Sequence, residues 1–227
     1  MVRLRVFPTP VKVKWIFLIY IVLLWVILTW LEIAWHPEIG FWEAVLMGLA
    51  IVLVLIPADV GHAFAHIFSA RWAGAPMDEI LLSAGMPRTL YWNNAVPPNA
   101  HRLRAIGGPL FNLVALLLSL AIYALLASNS IVRELSTWSA LGHALILIMS
   151  LMPLPVVDGG TLLKWTLVAR GRTETQADAA VRRLDWGIAG LTEIAGLVLV
   201  ASRLWIAGGI LVGLGMVVIA ITAGKIH

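Results

Sequence analysis

Long uncharged apolar runs set the first limit on what this chain can fold into. They occupy 15–31, 44–58, 105–132, 135–157 and 204–224, with a weaker run near Trp186–Ala201 that Glu193 interrupts. A helix crossing a bilayer takes about 20 apolar residues. Backbone groups in lipid must find partners within the chain, so segments of this kind are helices unless they close into a barrel. Barrel strands alternate apolar and polar residues, whereas these runs are continuous. The expected fold is therefore an all-α membrane protein with about six transmembrane helices. Composition agrees, with 61% of residues hydrophobic and 12% charged, where a soluble domain carries roughly 25% charged. The chain has no cysteine, which excludes disulfides, thiolate zinc sites and cysteine nucleophiles.

Arg3, Arg5, Lys12 and Lys14 precede the first run in the manner of a signal peptide. That run is too long, and no small-residue cleavage site follows it, so a retained anchor is expected. Cytoplasmic loops retain Lys and Arg. With the N-terminus inside and six spans, fourteen of the sixteen basic residues fall on the cytoplasmic side, leaving Arg133 and Arg203 outside. Both termini are thus expected in the cytoplasm, and the plasma membrane of a prokaryote is the expected location. Topology accounts for the net charge of +4, and no nucleic acid partner is needed. Trp15, Trp30, Trp35, Trp42, Trp72, Trp138, Trp186 and Trp205 lie near span ends, where indoles anchor at the lipid interface.

We read 1–227 as a single polytopic membrane domain. Residues 73–104 contain Pro76, Pro87, Pro97, Pro98 and short apolar runs at Ile80–Ser83 and Thr89–Trp92. They are expected to form a membrane-associated, strand-rich insert, a small hairpin or sheet on the cytoplasmic side between the second and third spans. Residues 164–184 are polar and helix-prone.

The chemistry gathers in two places. The second span ends in Asp59-Val-Gly-His62-Ala63-Phe-Ala-His66. Histidines at i and i+4 lie roughly 40° apart around a helix and one turn apart along it, so both imidazoles can reach one ion. Ionisable groups inside a span are costly and usually mark function. The fourth span ends in Ser150-Leu-Met-Pro153-Leu-Pro155-Val-Val-Asp158-Gly159-Gly160. Its prolines and glycines let the helix break and turn Asp158 back towards the bundle, though a helix simply ending at the interface is the plainer reading of this segment alone. Both motifs come near the cytoplasmic end of their spans. Together they suggest His62, His66 and Asp158 on one zinc ion, with water in the fourth position.

These motifs resemble the site-2 protease family of intramembrane zinc metalloproteases. The resemblance runs over about 43–170 and rests on the His62-x-x-x-His66 pair, on Gly107-Gly108-Pro109-Leu-Phe-Asn112, and on Pro153-x-Pro155-x-x-Asp158-Gly159-Gly160. It implies that His62, His66 and Asp158 bind Zn2+. It implies also that Asn112, with Gly108 and Pro109, supports the substrate strand or the tetrahedral intermediate. The strands within 73–104 would pair at their edge with an unwound transmembrane substrate, a form of β-strand addition. For Gly107-Gly108-Pro109 the plainer reading is a helix start with proline in its first turn. Connections too short for an extra soluble module point to a minimal member of the family.

One departure is decisive. In His-Glu-x-x-His the glutamate takes a proton from the metal-bound water, and here that position is Ala63. Loss of a positioned general base typically costs about 10²–10⁴-fold, so this chain is expected to be inactive or nearly so. Ala63 is either an engineered replacement in an otherwise intact enzyme or the mark of a natural pseudoprotease that binds transmembrane clients without cutting them. Ser150, where the family often has Asn, is a lesser departure. Asp59 is a candidate partner orienting a histidine, Glu193 is a candidate for a bond across helices, and His143 is too far along its span from Asp158 to share its metal. A metal transporter is disfavoured by the strand-rich insert and the Asp-Gly-Gly segment.

Overall fold

The computed structural model describes residues 2–6, 8–84, 87–126 and 130–223. In chain order the elements are β1 (Val2–Val6), β2 (Thr9–Val13), α1 (Trp15–Trp35), α2 (Phe41–Trp72), β3 (Glu79–Leu82), β4 (Arg88–Leu90), α3 (Pro98–Leu125), α4 (Ile131–Leu151), α5 (Asp158–Ala169), α6 (Glu174–Ala201) and α7 (Trp205–Thr222). Among the described residues six helices, all but α5, are long and apolar enough to cross a membrane. The expectation of an all-α membrane protein with a small sheet holds.

The sheet differs from expectation in where its strands come from. It has four strands in the order β1-β2-β3-β4. β3 and β4 arise from the insert as read, while β1 and β2 form a hairpin from the segment read as a basic lead-in to the first span. β2 pairs parallel to β3 through Val11↔Ile80 and Val13↔Leu82, the intervening α1 and α2 serving as the crossover that a parallel pair requires. The signal was present in Val2-Arg3-Leu4-Arg5-Val6, whose strict alternation is that of a strand with one covered face.

The chain divides into two units, Met1–Val96 with Ile106–Met149, and Pro97–Ala105 with Ser150–His227. In the first, the sheet rests on one stripe of α2: Ala63, Ile67 and Ala70 pack with Val11 and Phe17, and with Met77, Ile80 and Leu82. Lys12 of β2 pairs with Glu79 of β3 at 2.6 Å. A second apolar cluster joins Leu28 of α1 to Ile51 and Val52 of α2, with Leu135 and Trp138 of α4 against it. Ser119 of α3 bonds Ser139 of α4 at 2.9 Å.

In the second unit, α6 opens on a capping box in which Gln176 N donates to Thr173 Oγ1 and Thr173 N to Gln176 Oε1. Lys164 of α5 reaches Asp178 and Glu174 on α6. Trp165 stacks on His101 with ring centroids 3.7 Å apart. Leu154, Ala189 and Val218 form the apolar centre of this unit.

Candidate metal centre

His62 and His66 share one face of α2 beside the apolar stripe that carries the sheet, and both are buried. Their Nε2 atoms converge to 3.1 Å. Two imidazole nitrogens at about 2.0–2.1 Å from a tetrahedral zinc stand roughly 3.3 Å apart, so the pair already has the spacing of two zinc ligands.

α3 allows this approach. Gly107 lies against Ser69 and the Ala65 carbonyl, and Gly108 lies directly over the Nε2 atoms of both histidines, where a Cβ would come within 2.5 Å of His66 Nε2. A side chain at Gly108 would run into both rings, and one at Gly107 would push α3 away from α2. Gly107-Gly108-Pro109 is not a helix start: α3 begins at Pro98, and Pro109 lies well inside it. Without an N–H, Pro109 cannot donate to the Ala105 carbonyl.

Asn112, one turn further along α3, is fully buried (0% exposed). Its Nδ2 donates to His62 Nδ1 at 3.1 Å, and its Oδ1 accepts from His143 Nδ1 at 3.0 Å. A neutral His62 that accepts at Nδ1 carries its proton on Nε2, and that proton points to His66 Nε2. A run of bonds thus passes from His143 on α4 through Asn112 on α3 to His62 and His66 on α2. Phe111 meets the His143 ring edge-on at 5.7 Å. In the sequence His143 stands too far from Asp158 to share its metal, and nothing near it marks a role. Its contact with Asn112 crosses between helices and has no sequence spacing to betray it.

The other expected residues lie as follows. Ala63 is 1% exposed and belongs to the apolar contact between α2 and the sheet. Asp59 makes no hydrogen bond to either histidine among the described residues. In the second unit, α4 stops at Leu151 and α5 begins at Asp158, with Val157 as N-cap, so the helix breaks where the prolines predict. Gly159 and Gly160 are packed against the carbonyls of Leu151, Met152 and Leu154. The loop therefore folds back onto the first turn of α5 and fixes the backbone that bears Asp158. Glu193 of α6 lies against Gly215 of α7. Its Oε1 has no hydrogen-bond partner among the described residues, so the expected bond across helices is not seen there.

No protein-family model matches the chain. The fold is that of a site-2 protease: the site-2 protease from Methanocaldococcus jannaschii matches with a TM-score of 0.60 over 98% of this chain and 94% of that one, at 18% identity. Among curated proteins, "Putative zinc metalloprotease Rip3" of Mycobacterium tuberculosis, in strains H37Rv and Erdman, is 28% identical over 183 residues. That match covers 78% of this chain and 44% of Rip3, so the chain spans less than half the length of these relatives. The two likenesses agree with the resemblance to the site-2 proteases that the motifs carry.

Proposed function

We propose that this chain is an intramembrane zinc metalloprotease of the site-2 type, lacking its general base, which takes transmembrane segments of membrane proteins as substrates. The observation that carries this reading is the pair of buried Nε2 atoms held 3.1 Å apart under Gly108, with His62 gripped from behind by Asn112. Buried imidazoles whose nitrogens converge on one point are a donor set suited to zinc. Asp158, from the sequence motif, is the proposed third ligand.

Zinc bound there supplies a water of lowered pKa and polarises the scissile carbonyl. For Nε2 of His62 to hold a metal, its proton must sit on Nδ1, so Asn112 turns its amide to accept that proton and donates instead to His143. Both ends of the amide are then committed to imidazoles. This favours a positioning role for Asn112 over contact with substrate, and it extends the site to His143. The outer edges of the sheet, β1 and β4, offer unpaired backbone to an unwound substrate strand. With both termini cytoplasmic, the sheet lies on the cytoplasmic side and cutting occurs near that face.

Ala63 limits turnover because a methyl group cannot accept or pass on a proton. It is also what favours the second reading, a pseudoprotease that binds clients without cutting them, since its side chain is absorbed into the packing beneath the sheet. Ala63→Glu, assayed in liposomes on a panel of transmembrane substrates, separates the two. The protease reading expects chelator-sensitive cleavage to rise by about 10²–10⁴-fold. A folded, zinc-loaded Ala63→Glu protein that cuts nothing would leave the client-binding reading.

A further inference from the structure

At the end of α1 away from the sheet lies another group of ligating side chains. Glu32 and His36 are an i, i+4 pair on the last turn of α1, and Glu134 comes from the first turn of α4. One nitrogen or carboxylate oxygen from each lies within 4.8 Å of those of the other two. Glu32 is 1% exposed, and its Oε1 is buried with no hydrogen-bond partner. Glu134 is half-buried, and His36 lies at the exposed rim.

The Glu32 carboxyl bonds to that of Glu134, yet its Oε1 stays buried without a partner, and two carboxyl groups held side by side out of water are costly unless a positive charge or a proton joins them. The arginine beside Glu134 in sequence is engaged elsewhere. Arg133, next to Glu134 in sequence, lies 4.2 Å from the Tyr123 ring centroid and donates to the Leu126 carbonyl. A proton shared between the two carboxyl groups would neutralise one charge and still leave lone pairs of Glu32 and His36 unused. A divalent cation uses all three groups and balances two carboxylates with its own two charges.

Two further features suit a metal. His36 Nδ1 lies 3.4 Å from the Glu38 carboxylate, a contact that favours the proton on Nδ1 and leaves the Nε2 lone pair available. A carboxylate behind a ligating imidazole is the usual outer support of such sites. The helix ends are also held together independently of any ion: Trp35 stacks on Trp138, centroids 5.9 Å apart and planes within 14°.

We propose that Glu32, His36 and Glu134 form a second metal site, for a first-row divalent cation such as Mn2+ or Zn2+, that clips the end of α1 to the start of α4. Two carboxylates and one imidazole are a mixed oxygen and nitrogen set, which both ions accept. The site is separate from the His62 and His66 pair and stands whether or not the chain is a protease.

The test uses the full chain in nanodiscs with His62→Ala and His66→Ala introduced, so that the other site is silent. Mn2+ binding is followed by paramagnetic resonance, with Zn2+ as competitor and thermal unfolding as a second readout. One saturable equivalent is expected, with a rise in Tm. Glu32→Gln and Glu134→Gln should each abolish saturable binding and the rise. Glu38→Gln should weaken binding by about tenfold while preserving its stoichiometry. Size-exclusion profiles and circular dichroism identify a variant that has failed to fold, and Glu134, being half-buried, provides the variant better able to tolerate the change. Absence of saturable binding in the parent would overturn the proposal, as would unchanged binding in folded Glu134→Gln. A parent that binds no metal, together with a Glu32→Gln protein that is more stable than it, would overturn the proposal and identify a shared proton instead.

Discussion

Two clusters of the first unit start from the same device, a pair of ligating residues at i and i+4, and end in opposite states. His62 and His66 are buried imidazoles whose nitrogens lie within hydrogen-bond distance of one another and, for His62, of Asn112, which is itself held by His143. Glu32 and His36 gather a second carboxylate, and one buried oxygen finds no partner. The difference follows from the side chains. An imidazole is both donor and acceptor and can satisfy a like neighbour, whereas an ionised carboxylate only accepts. The histidine centre thus satisfies its own nitrogens without an ion, whereas the glutamate cluster leaves one buried oxygen unsatisfied.

The sharpest way to break this contrast is to remove a ligand from the histidine centre. His66→Ala is expected to lose stoichiometric zinc, and EDTA should then cease to lower its Tm, while the fold survives because the ring's removal leaves the sheet's apolar stripe intact. Retention of a full equivalent of zinc at the proposed site would refute the assignment. A smaller effect is expected behind the ligand. Asn112→Leu keeps the volume but cannot accept from Nδ1, and zinc affinity measured by competition with a chelator should fall about 10–100-fold. An unchanged affinity would make Asn112 a packing residue. The smallest effect lies at the other cluster. A double-mutant cycle of Trp35→Ala and Trp138→Ala should give a coupling of about 0.5–1.5 kcal/mol in thermal stability, with zinc binding at His62 and His66 unaltered. If zinc binding fell as well, the two clusters would not be independent.

The legible parts of the molecule were those written in local pattern. The six spans, the two strands of the insert and the break between Leu151 and Asp158 each rest on residues adjacent in sequence. The N-terminal hairpin is written in alternation as well, but its basic residues also fit the charge rule for membrane orientation, and one short segment carries both signals. Gly107-Gly108-Pro109 shows a different limit. Glycine and proline together suggested a helix start, yet their place within α3 answers to the histidines facing them. His143 is legible in neither way, because its role depends on Asn112 of another helix.

By itself, the amino-acid sequence determined the solvent of this protein, its number of spans, the histidine pair and the absence of a base at position 63. Those follow from transfer free energies and from side chains on a single turn of helix, which need no distant partner. The tertiary structure decided what surrounds them. It made α1 and α2 the crossover of a parallel strand pair, put Asn112 behind His62, and closed Glu134 onto Glu32. Each of these is a contact between helices far apart in the chain, fixed by packing, and packing is a property of the whole fold that no short window of sequence contains.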